Sequence, residues 1–138
     1  MIKVIEEITK IVEWYGNLPK DFTNITDLMY SRQKLSAYQF ALSVDLGTLR
    51  QEWKQCEAQT EFVRRNKAVE GVNEGLPMSK VVELSKASAL ECLKLEKTAD
   101  GMYNRIKFII ESTESVNQSI TQHISILKIE QKNAVTQV

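Results

Sequence analysis

The sequence predicts an all-α fold: a short N-terminal helix followed by a long antiparallel helical hairpin of coiled-coil character, assembling into an oligomer. Three observations predict it. The 138 residues include only two prolines and five glycines, so long stretches run without a breaker. Leu28, Leu35, Leu42, Leu49, Cys56 and Val63 fall seven residues apart without a skip, the spacing of a coiled-coil seam. The one stretch dense in breakers, Gly71-Val72-Asn73-Glu74-Gly75-Leu76-Pro77, separates two long periodic segments.

The first helix is expected over about residues 2–16. Ile5, Ile8, Val12 and Tyr15 recur at helical spacing, with Glu6, Glu7 and Lys10 on the far side. Asn17-Leu18-Pro19 ends it, because proline lacks a donor and restricts the residue before it. The second helix is expected over about 24–69, with Thr23 or Thr26-Asp27 as the N-cap and with Leu46 and Trp53 filling positions between the heptad residues. Residues 70–78 read as a loop, since glycine suits a left-handed C-cap and proline cannot continue a helix.

A third helix is expected over about 79–130, capped by Ser79. Its stripe runs through Val81, Ser85, Ser88, Cys92, Leu95, Ala99, Met102, Ile106, Ile109, Thr113, Val116, Ile120, Ile124 and Leu127 in steps of three or four. The first half of the stripe is small and the second isoleucine-rich. Residues 131–138 are polar and are expected to fray. A chain of this length suits one domain with one core.

A short connection turns the two long helices back on each other. Folding about residue 74 sets Cys56 opposite Cys92, Gly47 opposite Gly101 and Trp53 beside Leu95. The glycine pair reads either as a shared bend or tight crossing, or as two unrelated surface glycines. A helix of such a span is about 70 Å long, whereas a compact chain of this size has a radius of gyration of about 14 Å. Two rods that slender leave an apolar stripe uncovered, and exposed stripes mark interfaces. The expected oligomer interface is Ile106, Ile109, Val116, Ile120, Ile124 and Leu127.

Composition narrows the function classes. Eighteen basic and eighteen acidic side chains cancel, so bulk charge gives no pull toward nucleic acid or an anionic membrane. No run approaches the roughly 20 apolar residues of a membrane span, and Met1-Ile2-Lys3-Val4-Ile5-Glu6-Glu7 lacks the apolar core of a signal peptide. A cytoplasmic protein with reduced thiols is expected. Cys56, Cys92 and His123 are too few and too widely spaced for a zinc site. The two thiols read as small buried hydrophobes, with a reversible Cys56–Cys92 disulfide as the alternative. No nucleophile–base constellation, phosphate loop or metalloprotease motif stands in the chain, so neither an enzyme nor a cofactor is expected.

One basic cluster converges on the expected hairpin tip: Arg64, Arg65 and Lys67 end the second helix, and Lys80 and Lys86 begin the third. Cations there complement the dipole of a helix C-terminus, which is a structural reason for their presence, or they contact phosphates. Leu28-Met29-Tyr30-Ser31-Arg32 opens the second helix, Arg64-Arg65-Asn66-Lys67 lies near its end, and a glycine-containing break follows. Leu93-Lys94-Leu95-Glu96, Tyr103 and the segment ending in Ile126-Leu127-Lys128-Ile129-Glu130 complete the pattern.

In this order the chain resembles the UvsY-type recombination mediators of tailed phages, small all-helical proteins that form rings and load a recombinase onto single-stranded DNA. The resemblance implies an oligomeric, phage-encoded accessory protein of recombination or replication, active in the host cytoplasm. Arg64, Arg65 and Lys67 would contact phosphates, the C-terminal stripe would build the ring, and a recombinase would be the protein partner. The alternative reading is an interaction module without a nucleic-acid role, such as an inhibitor of a host system or a virion-assembly factor.

Overall fold

In the computed structural model, which describes residues 1–136, the chain is all-α: four helices and, among the described residues, no strand. The helices are α1 (Ile2–Gly16), α2 (Ile25–Asn73), α3 (Met78–Ser88) and α4 (Leu90–Thr136). They divide between two compact units. The first comprises Met1–Asp45 and Ile106–Val138, the second Leu46–Arg105.

Local chemistry sets the helix ends. Asn24, rather than Thr23 or Thr26, caps α2: its Oδ1 accepts from the Asp27 backbone N–H at 3.2 Å, and its Nδ2 donates back to Asp27 Oδ2 at 3.0 Å. This reciprocal pair satisfies one orphan donor of the first turn. At the other end α2 runs on through Gly71 to Asn73, shortening the expected loop to residues 74–77. Gly75 takes the left-handed conformation at φ +75°. Its N–H donates to Val72 O, and that of Leu76 donates to Gly71 O, the paired bonds that close a helix through a left-handed residue.

The expected third helix is two helices. Pro77, not Ser79, occupies the N-cap position of α3, and no side chain caps it. The break falls at Ala89, where the chain is rich in serine. Ser85 Oγ donates to Val82 O at 2.9 Å and Ser88 Oγ to Leu84 O at 2.8 Å. Hydroxyls bonded back to the preceding turn compete with the helical ladder and weaken it. At the C-terminal end α4 stays helical through Thr136, so the fraying expected for 131–136 is not seen; Gln137 and Val138 lie outside the described residues.

The first unit packs three helical segments. Leu28, Leu35 and Leu42 of α2 and Ile120 of α4 are wholly shielded, joined in the core by Ile8, Ile106, Ile124 and Leu127. Full burial of a leucine or isoleucine side chain is favourable by about 1.5–3 kcal/mol. Polar bridges join α2 to α4. Gln39 Nε2 donates to Glu114 Oε2 at 2.9 Å, and Asn117 Nδ2 donates to Ser36 Oγ at 2.9 Å. Helix α1 covers the remaining side. Its Ile8 and Val12 face Phe108, Ile109 and Val116 of α4, and the Tyr15 ring lies 6.1 Å from that of His123. Trp14 meets Phe22 edge to face at 5.8 Å, which folds the connecting segment back onto α1.

The second unit has a smaller core. Leu49, Val81 and Ala89 are its buried apolar side chains, with Thr60 and Ser85 the buried polar ones. Trp53, Cys56 and Val63, which continue the seam, are half-buried. Trp53 stacks on Tyr103 at 5.7 Å instead of lying beside Leu95, which is 63% exposed. Tyr103 stands about two helical turns further along the chain than Leu95. Gly71 against Val81, ahead of the break at Ala89, already centres the turn near residue 76, so folding the chain about residue 74 sets α4 out of register. Gly71 is the close-approach glycine: a Cβ there would meet Val81 Cγ2 at 3.0 Å. Gly47 and Gly101 face open space, so the tight crossing offered for that pair is absent.

Candidate interaction surfaces

The five candidate cations all lie in the second unit and all are exposed. They do not act as one patch. At 100° per residue Arg64 and Arg65 diverge around α2, and Lys67 points away from Arg65 on the far side. Arg65 Nε is bound to Glu61 Oε1 at 2.9 Å, and Lys67 Nζ to Glu70 Oε2 at 3.1 Å. Both pairs are exposed and contribute little to stability, but each cancels a charge that a phosphate would need. Arg64, Lys80 and Lys86 have no ion pair among the described residues.

The expected oligomer interface does not stand open. Ile106, Ile120, Ile124 and Leu127 are 0–6% exposed, and Ile109 and Val116 are half-buried. The physical reason is α1. Its apolar side lies along the stripe that a two-helix hairpin would have left bare, with a cleft of about 200 Å³ remaining at the seam. These residues are core of the first unit.

Exposed apolar side chains occur in both units: in the first, Phe40 is 72% and Phe108 68% exposed. In the second, Phe62, Val69 and Val72 on α2, Met78 and Val82 on α3, and Leu90, Leu95 and Met102 on α4 are each 44–69% exposed. Val69, Val72, Met78 and Val82 line a groove of about 320 Å³ between the last turns of α2 and α3, walled almost wholly by carbon. Cys56 and Cys92 are free and half-buried.

Another feature went unread in the sequence. A cleft of about 350 Å³ between α1 and α2 in the first unit is lined by Trp14, Tyr30, Lys10, Lys34, Glu7 and Asp27. Lys34 Nζ lies 4.7 Å above the Tyr30 ring, and Lys10 is paired to Glu7 at 2.9 Å. The Tyr30/Lys34 contact is an i, i+4 pair and could have been read from spacing. Bringing Trp14 to it needed the tertiary fold. Two cations and two carboxylates balance there, so the cleft presents no net charge to an anion.

Among the described residues no three histidine, cysteine or acidic side chains come together as a metal site, and no helix is long and apolar enough to cross a membrane. No family model matches the chain, and no curated protein or solved structure matches it either.

Proposed function

We propose that this chain is a non-catalytic, cytoplasmic helical accessory protein that works as a homo-oligomer. The observation that supports self-association is the apolar surface of both units, where side chains as large as Phe40, Phe62, Leu95 and Phe108 lie in solvent. The hairpin is part of the same proposal. Within the second unit Trp53 meets Tyr103 and Gly71 meets Val81, so later positions on α2 meet earlier ones downstream. Within the first unit Ser36–Asn117 and Gln39–Glu114 follow the same order.

The resemblance to UvsY-type mediators points to a role in binding single-stranded DNA and assisting recombination or replication by loading a recombinase. Arg64, Lys80 and Lys86 are the cations that remain available for phosphates, and repetition around an oligomer would compensate for their small number. The second reading, an interaction module without nucleic acid, is favoured by the Arg65–Glu61 and Lys67–Glu70 pairs and by the zero net charge.

Fluorescence anisotropy with labelled single strands separates the two. The mediator reading expects binding at low salt that weakens linearly on logarithmic axes as salt rises. It also expects a shallower salt dependence when Arg64, Lys80 and Lys86 are all changed to Ala. An absence of binding at low salt removes the mediator role and leaves the interaction module. Light scattering tests the association beneath both: several times 15.8 kDa is expected, and a stable monomer contradicts it.

A further inference from the structure

Among the described residues four polar side chains are buried: Ser31, Thr60, Ser85 and Thr113. Three of the hydroxyls donate to a carbonyl of their own helix: Thr60 to Cys56 O at 2.9 Å, Ser85 to Val82 O at 2.9 Å and Thr113 to Ile109 O at 2.7 Å. Ser31 is 8% exposed, and its hydroxyl has no hydrogen-bond partner among the described residues. Nor is that oxygen sealed in, since the sealed and unpartnered side-chain atom is Asn117 Oδ1. The surface that Ser31 keeps opens into the cleft of about 350 Å³ between α1 and α2, inside the first unit. A buried hydroxyl is ordinarily paired, and one left open to a cleft calls for a partner from outside.

The four charges on the cleft wall are already engaged. Glu7 is paired to Lys10 at 2.9 Å. Asp27 stands in the first turn of α2, where it complements the helix dipole, and it accepts from Asn24 Nδ2 at 3.0 Å. Lys34 Nζ lies 4.7 Å above the Tyr30 ring. What stays unused is the Ser31 hydroxyl, with Ile11 and Trp14 half-buried in the same cleft. A hydroxyl both donates and accepts. The indole offers a flat apolar face and Ile11 an aliphatic one. An ion would have to displace contacts already formed, whereas a flat, uncharged ring with a hydrogen-bonding edge displaces none. Nucleobases have that chemistry: they stack on aromatic side chains, and their edges donate and accept. The cleft also has the size of a small-molecule site.

We propose that the α1/α2 cleft binds an uncharged heteroaromatic ring of nucleobase size, stacked on Trp14 with the Ser31 hydroxyl at its edge. The site depends neither on self-association nor on the cations of the second unit.

The test is a titration of the full chain carrying Trp53→Phe, in which Trp14 is the tryptophan that remains. Adenosine is the probe. Trp14 fluorescence should change saturably, with half-saturation on the order of 1 mM or below, the range open to a ligand of this size. Adding Ser31→Ala should raise that concentration about fivefold, the worth of one hydrogen bond. It should not lower the urea midpoint, because the hydroxyl leaves no protein partner behind. Calorimetry on the wild type and on Ser31→Ala alone repeats the comparison with Trp53 in place. A signal that never saturates overturns the site, and so do equal curves with and without Ser31→Ala. A lowered midpoint in Ser31→Ala shows a structural hydroxyl and overturns it too. Saturation by ribose at the same concentrations overturns the aromatic class. Single-stranded oligodeoxyadenylate then identifies the source of the ring: half-saturation at a lower base concentration than adenosine means a strand, and an equal one means a free nucleoside.

Discussion

In the first unit the leucine seam of α2 is sealed: Leu28, Leu35 and Leu42 have no exposed surface. In the second unit the same heptad continues as Leu49, which is buried, and as Cys56 and Val63, which are half-buried. The sequence period is equal in the two regions. Each unit has three helical segments, and what differs is the side chains they bring to the core. Helix α1 lies along α4 in the first unit, with its Ile8 and Val12 against Ile109 and Val116. The second unit has the short α3 beside α2 and α4, and apart from Leu49 its buried side chains are small or polar: Thr60, Val81, Ser85 and Ala89. A heptad therefore specifies which side of a helix is covered, and the side chains packed across from it specify how completely.

The difference can be broken at Ile120, which has no exposed surface. Ile120→Asp would bury an unpaired carboxylate and should cost about 4 kcal/mol or more. The expected result is loss of helical signal and a lowered urea midpoint, not a folded protein of smaller mass. A folded, dissociated product would return the isoleucine stripe to the interface.

The second unit should respond in the opposite sense. Gly47 and Gly101 are helical and open to solvent, with nothing within 4 Å of an added Cβ. Gly47→Ala and Gly101→Ala should each stabilise by about 1 kcal/mol in urea denaturation. Gly71→Ala should not, because Val81 Cγ2 stands 3.0 Å from the new Cβ. Equal gains at all three positions would show that α3 does not press on α2.

The smallest effect lies at the α1 seam. Burial pushes the Tyr15 phenol above its ordinary value, so the fold favours the neutral form. That stability is complete below the unfolded pKa of about 10 and is lost as pH rises through the higher folded value. Thermal melting should fall on alkaline titration in wild type and fall less in Tyr15→Phe. Identical profiles would mean that packing of α1 against α4 does not shield this ring.

Much of the fold is legible in the chain. Long helices without a strand follow from the scarcity of glycine and proline, and the buried leucines follow from a seven-residue period. The break at Ala89 was missed because serine and alanine are acceptable inside a helix. Ser85 and Ser88 bond back to the preceding turn there, but so do Thr113, Ser119, Thr121 and Ser125 within unbroken α4. The capping residue was misjudged by one position among Thr23, Asn24 and Thr26, each of which can offer an oxygen to a first-turn N–H. Of the candidate site residues, the identities and exposure of the five cations follow from residue type. The divergence of Arg64, Arg65 and Lys67 around α2 follows from helical spacing, whereas the pairing of Arg65 with Glu61 and of Lys67 with Glu70 depends on rotamers that a cluster of letters does not carry.

By itself the sequence determined the helices, their apolar seams and the balance of charge, because these depend on spacing within a few residues and on composition. The tertiary structure alone decided which seam is hidden. Helix α1 is remote in sequence from Ile109, Ile120 and Ile124, and nothing in either segment's period states that the one covers the other. Burial is a property of what lies across the contact, so a stripe that reads as free in one helix becomes core once a distant helix settles on it.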